Sequence, residues 1–269
     1  MAQAAPEPDS LGEGTLISHL LELRQRLLYA VVAIIVCAIG CMAFANPLFE
    51  FVAMPLLKNL PEGGQLISTS VSAPMFAPFK LALYSGAFLA MPVVLFQLWA
   101  FVAPGLYRHE KRFAAPLVIS SIVFFYAGVV FAYYVIFPLL FAVLTHAAPA
   151  NVKIMTDISE YLDFVLVMFL AIGLAFEIPV AIVLLVSTGL VRIETLRRNR
   201  GYVLLGMCVQ AAVITPDVIS LAIIAAPMYA LYEIGMLMAA VLARGKIAAL
   251  RADAEAEARA AARDDGPAA

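Results

Sequence analysis

The chain has 269 residues, of which 64% are hydrophobic and 13% are charged, and its formal net charge is −2. A soluble domain is usually about 45–50% apolar and about 25% charged. Because the excess apolar residues form long uninterrupted runs, they indicate membrane spans rather than a large soluble core. The composition excludes a soluble globular protein and predicts an all-α, polytopic membrane protein.

The N-terminal segment differs from a cleavable signal peptide. Residues 1–14 are acidic and contain proline and glycine, whereas a signal peptide begins with basic residues followed at once by an apolar stretch. We therefore predict a disordered tail here and expect the first span to be retained. Residues 15–28 then carry leucines at helical spacing opposite His19, Glu22 and Arg26. This pattern predicts an amphipathic helix at the membrane interface that leads into the first span.

Six apolar stretches predict six membrane spans. They cover residues 27–45, 76–102, 114–145, 161–190, 202–214 and 219–242. The third is longer than an upright crossing requires, so we expect it to tilt, to kink near Pro138 or to project beyond the bilayer. The fifth is too short to cross a normal bilayer upright. The longest connection, residues 46–75, is rich in helix breakers, and residues 243–269 form a charged tail that is a fraying helix or a disordered segment.

Positive charge is concentrated on one side of the predicted spans. The N-terminal segment, the loops after the second and fourth spans and the C-terminal tail hold 14 of the 17 basic residues. Only Lys58, Lys80 and Lys153 fall on the other side. The positive-inside rule then places both termini and the loop after the second span in the cytoplasm.

The sequence lacks the common patterns of catalytic sites. It has no glycine-rich phosphate loop and no nucleophile–base arrangement. Its three histidines fall in different segments, and its three cysteines lie in apolar runs without further ligands. We therefore expect no enzyme activity, no metal and no cofactor. The classes that remain are a transporter, a receptor-like translocation component and a passive membrane scaffold.

Two acidic residues stand among basic ones on the predicted cytoplasmic side. Glu22 lies near Arg24 and Arg26, and Glu110 lies within the basic loop 97–112. Carboxylates bind guanidinium groups in a bidentate fork, so this pair could receive a ligand with two arginines. Alternatively, each acid pairs internally, Glu22 with Arg26 four residues later and Glu110 with a neighbouring base. Both interpretations remain open.

Other polar residues lie within or next to the predicted spans. An ionisable group at the depth of Glu177 costs several kcal/mol unless it faces water or a partner. It indicates a proton site, a hydrated concavity or a neutral packing residue. A proton-coupled secondary transporter of a small solute, using Glu177 and Lys80, is the alternative function. Gln210 and Asp217 are suited to a docking patch for another helix or to contacts within the bundle.

Four motifs of the chain resemble the TatC family, the multispanning subunits of the twin-arginine (Sec-independent) protein translocase. They are HLLELRQRL at 19–27, QLWAFVAPGLYRHEKR at 97–112, FEIP at 176–179 and APMYALYEIG at 226–235. The resemblance covers about residues 15–240. It implies a glove-like concave bundle of six transmembrane helices in the bacterial inner membrane, with both termini cytoplasmic. It also implies that the protein binds twin-arginine signal peptides of folded precursors and exports them using the protonmotive force.

The resemblance further implies partners. These are the single-span proteins TatA and TatB, membrane lipids and further copies of the chain within a hetero-oligomeric complex, with no nucleic acid. It assigns Glu22 and Glu110 to the arginine pair of the signal peptide. The residues that shape this site are His19, Leu23, Arg24, Pro104, Tyr107 and Arg112.

The remaining assignments concern the concavity, the outer loop and the partner-docking region. Glu177 and Gln97 are assigned to the concavity, and Pro55 resembles a structurally important proline of the family. Partner docking is assigned to Gln210, Thr215 and Asp217. Here the sequence ITPDVISL departs from the family, which often has two prolines and, at the position of Leu221, a glutamine. The docking region therefore carries over, but its individual contacts do not.

Overall fold

The computed structural model separates into two compact units, residues 1–173 and 174–269. It describes residues 10–58, 65–106, 114–147, 155–215 and 217–264. Side chains are described for residues 18–58, 66–102, 115–145, 155–215 and 217–242.

Helices dominate the described residues, with one short pair of strands. From the N-terminus these elements are α1 (Ser10–Met42), α2 (Ala45–Leu57), β1 (Gln65–Ile67), α3 (Ala73–Leu106), α4 (Ala114–Phe131), a π-helical turn (Ala132–Ile136), α5 (Phe137–Ala147), β2 (Met155–Asp157) and α6 (Ile158–Ala175). They are followed by α7 (Ile178–Ser187), α8 (Ile193–Arg198), α9 (Arg200–Ile214) and α10 (Val218–Asp264).

Five segments among the described residues are long and apolar enough to cross a membrane. They are Ser18–Met42, Ala73–Val102, Ala115–Thr145, Ile158–Ser187 and Val218–Leu242. The predicted fifth span, 202–214, corresponds to α9, whose 15 residues extend about 22 Å at 1.5 Å per residue. The prediction of a helical, polytopic membrane protein is confirmed, with the two three-residue strands as a small exception to an all-α fold.

Several helices extend beyond their predicted bounds. The amphipathic segment 15–28 and the first span form one helix, α1, because no proline or glycine separates them. The helix already begins at Ser10, inside the predicted tail 1–14. At the other end, α10 continues to Asp264, into the predicted tail 243–269. This stretch is rich in alanine, whose high helix propensity favours a continued helix. The connection 46–75 contains a further helix, α2.

In the first unit, α1 and α3 run antiparallel in close contact. A Cβ atom added at Gly86 would lie 2.5 Å from the Cα atom of Ala38. Ala82 and Ala90, one turn before and after Gly86 on the same face of α3, are both buried. Small residues at this spacing let helix backbones approach closely in membranes. Any side chain at position 86 would push the two helices apart.

Aromatic side chains form the core among α4, α5 and α6. Phe125 and Phe137 are fully buried, and Phe137 meets Phe169 edge to face at 4.7 Å between ring centroids. A Cβ atom at Gly173 would lie 2.7 Å from the Phe125 ring. Close packing of α6 against the Phe125 ring therefore requires glycine at position 173.

The third predicted span is interrupted before Pro138. The π-helical turn Ala132–Ile136 ends with the amide of Phe137 donating to the carbonyl of Ala132. Pro138 cannot donate a backbone hydrogen bond, and a proline or a π-bulge is a known cause of a helix kink. Tyr133, whose contact with α2 is described below, lies in this turn.

A two-stranded parallel sheet joins the segment before α3 to the start of α6. Gln65 pairs with Met155, and Ile67 pairs with Asp157. The carboxylate of Asp157 accepts hydrogen bonds from the Thr69 hydroxyl at 2.6 Å, the Thr69 amide at 2.8 Å and the Ser159 amide at 2.8 Å. These bonds, with those from Thr69 first, lower the pKa of Asp157 from 3.8 to about 2.

In the second unit, α7 and α9 pack on α10. A Cβ atom at Gly235 would lie 2.8 Å from the Cα atom of Pro179, so α7 and α10 cross closely. The Tyr232 hydroxyl donates to the carbonyl of Leu196 at 2.8 Å. Arg200, at the start of α9, pairs with Glu233 at 3.1 Å. These contacts hold α8 and the beginning of α9 against α10.

Candidate functional site

The antiparallel helices α1 and α3 bring together polar and aromatic residues that are far apart in sequence. His19, Glu22 and Arg26 lie along one face of α1, and Gln97 and Phe101 lie one turn apart on α3. We call these five residues the α1–α3 cluster. It joins two of the sequence motifs that carry the family resemblance.

Glu22 forms an ion pair within α1. Its Oε1 atom accepts hydrogen bonds from Nε of Arg26 at 2.9 Å and from Nη2 at 2.6 Å. Of the two interpretations of Glu22, the structure shows this internal pair with Arg26. Because the side chain of Glu22 remains 39% exposed, a ligand can still reach it. Its role in ligand binding stays a prediction.

Gln97 belongs to the same cluster. Nη1 of Arg26 lies 3.4 Å from Oε1 of Gln97, which links α1 to α3. The sequence analysis grouped Gln97 with Glu177 in a concavity. The antiparallel pairing of α1 and α3 brings position 97 to position 26, so Gln97 is part of the α1–α3 cluster. Its assignment to the concavity stays a prediction.

His19 is held by stacking. Its ring lies 4.3 Å from the ring of Phe101, at an interplanar angle of 19°. Leu23 and Arg24, also predicted site residues, are exposed on α1. Stacking holds α1 at His19 against the C-terminal part of α3 at Phe101. This contact therefore orients a predicted site residue.

The end of α3 is also fixed on a second side. The indole N–H of Trp99 donates to the hydroxyl of Ser121 on α4 at 2.7 Å, and both side chains are buried. No local sequence pattern predicted this pair. The single tryptophan of the chain, placed in the loop motif, was the available signal. Trp99 thus fixes the helices on both sides of residues 107–113.

Several predicted residues of this site lie outside the described part of the chain. They are Tyr107, Glu110 and Arg112. Pro104 is described only as part of the backbone of α3. The assignments of these residues to the site stay predictions.

Glu177 lies at an interruption of the fourth predicted span. It follows the end of α6 and caps α7, whose second residue is Pro179. The backbone of Glu177 accepts a hydrogen bond from Ala181 at 2.9 Å, and its side chain is half-buried. Proline in the first turn suits a helix start, so the motif FEIP explains the break. The predicted span 161–190 therefore consists of two helices, α6 and α7, within the one candidate span Ile158–Ser187.

Lys80, the second residue of the transport hypothesis, has a partner. Its Nζ atom lies 2.6 Å from Oδ1 of Asp163, and this ion pair joins α3 to α6. The side chains are 33% and 56% exposed. The charge of Lys80 therefore serves a contact between helices.

The predicted docking residues of the second unit have different environments. Gln210 is exposed on α9, whereas Thr215 is buried and donates to the carbonyl of Ala211 at 3.3 Å. Asp217 accepts a hydrogen bond from the amide of Ser220 at 2.7 Å, and the bonds from Ser220 lower the pKa of Asp217. Thr215 therefore terminates α9 and Asp217 initiates α10, whereas the side chain of Gln210 is exposed. The docking role of these three residues stays a prediction.

An apolar stripe runs along α9. Its members lie at helical spacing and are each more than half exposed: Tyr202, Leu205, Val209 and Val213. Only Met207 and Ala211 of this helix are buried. The stripe is a candidate surface for contact with another membrane helix.

Pro55 lies inside α2 rather than in an irregular loop, and it is buried. A proline within a helix leaves the carbonyl four residues earlier without its usual donor. That carbonyl belongs to Phe51, and the hydroxyl of Tyr133 donates to it at 3.0 Å. The hydroxyl of Tyr161 donates to the next carbonyl, Val52, at 2.6 Å. Tyr133 thus supplies the donor that the proline removes.

Comparisons with known proteins agree with this architecture. The family model of TatC, the Sec-independent protein translocase protein, matches residues 18–227. The translocase protein TatC of Azotobacter chroococcum mcd 1 is 49% identical over 234 residues, which cover 87% of this chain and 92% of the relative. TatC of Escherichia coli K12 is 48% identical over 222 residues, or 82% and 86% of the two chains.

A solved structure is similar as well. A crystal structure described as the twin arginine translocase receptor TatC matches with a TM-score of 0.77 at 36% identity, over 83% of this chain and 98% of the other. Together with the five apolar spans among the described residues, these matches make the chain a multi-pass protein of the bacterial inner membrane. The resemblance found in the sequence is confirmed, and the chain belongs to the TatC family of Sec-independent protein translocase proteins.

Proposed function

We propose that this chain is the receptor of the twin-arginine translocase and binds the arginine pair of signal peptides at the α1–α3 cluster and the following loop. The observation that carries the proposal is Glu22, a partly exposed carboxylate among basic residues of α1, next to the contacts that join α1 to α3. The structurally similar crystal structure is described as a twin arginine translocase receptor. The role is binding and transport, without enzyme catalysis.

Glu22 and Glu110 supply the two carboxylates. Each can accept paired hydrogen bonds from one guanidinium group, a geometry that lysine does not reproduce. His19, stacked on Phe101, and Gln97 fix the distance between α1 and α3. The other residues that shape the site in this proposal are Leu23, Arg24, Pro104, Tyr107 and Arg112.

The second unit offers a surface for the single-span partners TatA and TatB. The stripe on α9 exposes apolar side chains that suit contact with a transmembrane helix, and Gln210 adds a polar group that can bond across helices. Such assembly gives a hetero-oligomeric complex that contains more than one copy of the chain. Glu177 contributes a polar group to the concavity. Export of folded precursors is driven by the protonmotive force.

Site-specific photocrosslinking tests the receptor function. A photoreactive residue within 97–112 is expected to capture a precursor with two arginines and not one with two lysines. Glu110→Ala should lower capture about tenfold or more, because a hydrogen bond to a charged group contributes about 1.5–3 kcal/mol. Glu22→Ala should lower it less, because Arg26 already shares this carboxylate.

Glu50→Ala is the matched control, since Glu50 is an exposed carboxylate on α2. It is expected to leave capture unchanged. Equal capture by the native chain, Glu22→Ala and Glu110→Ala would show that these carboxylates do not receive the arginines. Equal capture of the two-lysine precursor would contradict the receptor function itself.

A further inference from the structure

Arg26 already places a guanidinium group on a carboxylate proposed to bind the ligand. Its Nε and Nη2 atoms both donate to Oε1 of Glu22, at 2.9 and 2.6 Å. The α1–α3 cluster therefore contains an internal copy of the chemical group that the signal peptide presents. A peptide arginine can reach its full set of hydrogen bonds with Glu22 only after Arg26 moves.

The ion pair between Arg26 and Glu22 is weak enough for a ligand to displace it. Both donors use one carboxylate oxygen, whereas the strongest arginine–carboxylate pairs use both oxygens in a fork. The side chains of Arg26 and Glu22 are 24% and 39% exposed, so water screens their attraction. A partly exposed ion pair four residues apart on a helix shifts an equilibrium by only about twofold.

Arg26 also has a second acceptor. Its Nη1 atom lies 3.4 Å from Oε1 of Gln97, so the guanidinium keeps a partner on α3 when it leaves Glu22. Its alkyl chain can then remain against the cluster. The displaced state thus avoids an unpaired guanidinium in a half-buried position.

We propose that Arg26 is an internal competitor for Glu22 that weakens signal-peptide binding and speeds its release. This inference rests on the proposed receptor function. A receptor that delivers its ligand to a later step must let it go, and Arg26 reclaims the carboxylate as the peptide arginine leaves. Arg26 also adds a like charge beside the incoming arginines, which acts in the same direction.

The test measures the affinity and dissociation rate of a two-arginine signal peptide with the purified full-length chain in detergent. Arg26→Gln is expected to lower Kd about two- to fivefold, mainly through slower dissociation. In a Glu22→Gln background the same substitution should have little effect, because no carboxylate remains to compete for. Arg198→Gln, on the exposed surface of α8, controls for the loss of one positive charge.

Unchanged or weaker binding by Arg26→Gln, with normal binding by the native chain, would overturn the competitor role. So would an equal gain in the Glu22→Gln background, because the effect would then be one of general charge. If Arg26→Gln does not fold, Arg26→Lys is used, and a smaller gain in the same direction is expected. Failure of the native chain to bind the peptide would instead contradict the receptor function.

Discussion

At the scale of single residues, the role of a carboxylate depends on which hydrogen-bond donors surround it. Asp157 accepts bonds from the hydroxyl and the amide of Thr69 and from the amide of Ser159. Glu22 is paired only with Arg26 among the described residues, and it stays accessible. The first arrangement stabilises a junction between β2, α6 and the segment before α3, whereas the second leaves an acid for binding.

Asp157→Asn is expected to lower the melting temperature of the purified chain at neutral pH. The folded pKa of Asp157 is about 2, below its ordinary 3.8. Its contribution to stability is therefore fully present above about pH 4 and is lost as the pH falls from about 4 towards 2. Thermal unfolding across this range checks the prediction, with Glu50→Gln as the control for loss of one carboxylate. A difference in melting temperature that stays constant down to pH 2 would contradict it.

Contacts between residues that are close in sequence could be predicted, whereas contacts between distant residues could not. The pair of Glu22 and Arg26 was anticipated as one of two interpretations, because residues four apart on a helix are neighbours. The bonds between Trp99 and Ser121, 22 residues apart, and between Thr69 and Asp157, 88 residues apart, were not anticipated. They depend on which faces of distant elements meet, and no local spacing encodes that.

At the scale of helices, the main surprise is α2. Its proline indicated a broken connection, because a proline removes one hydrogen bond from a helix. The helix continues through Pro55, and Tyr133 donates to the carbonyl of Phe51, which the proline leaves without its amide donor. Tyr161 adds a bond to the carbonyl of Val52. These donors come from the π-helical turn and from α6, which lie about 80 and 110 residues further along the chain. The sequence predicted a break at the proline, whereas the helix continues through it, and no local pattern indicated the tyrosine donor.

This arrangement predicts a coupling between Pro55 and Tyr133. Tyr133→Phe leaves the carbonyl of Phe51 without a donor and should lower the free energy of unfolding by about 1–3 kcal/mol. In a Pro55→Ala background the backbone amide at position 55 can supply that donor, so the loss should shrink to less than about 1 kcal/mol. Denaturation of the four proteins in a double-mutant cycle measures the coupling.

Tyr134→Phe is the matched control, because Tyr134 is the adjacent tyrosine and is 67% exposed. It is expected to change the free energy of unfolding little in either background. Identical losses from Tyr133→Phe with and without the proline would show that its hydroxyl does not compensate for Pro55.

At the scale of the whole molecule, the two units carry different surfaces. The first unit holds the α1–α3 cluster, and the second holds the stripe on α9. Composition and charge predicted the class, the helical fold and most of the spans, because membrane insertion imposes length and hydropathy on each helix. The division into two units was not predicted, since it depends on contacts between helices rather than on the properties of each.

Cysteine crosslinking tests whether the α9 stripe receives a single-span partner. In a chain whose native cysteines, Cys37, Cys41 and Cys208, are replaced by serine, Val209→Cys should crosslink to a cysteine in the partner's transmembrane helix. Val36→Cys is the control, because Val36 is 62% exposed on α1 but belongs to no predicted docking surface. Equal crosslinking at the two positions would indicate random encounters in the membrane and would remove α9 from the proposal.

Trp99 has one more consequence, for spectroscopy. Because the chain has a single tryptophan, all of its indole fluorescence comes from the end of α3. The chromophore is buried and its N–H is bonded to Ser121, so its emission reports the polarity and hydrogen bonding of that one place. The protein thus carries a built-in optical probe between the α1–α3 cluster and α4, and ligand binding there can be followed without a label.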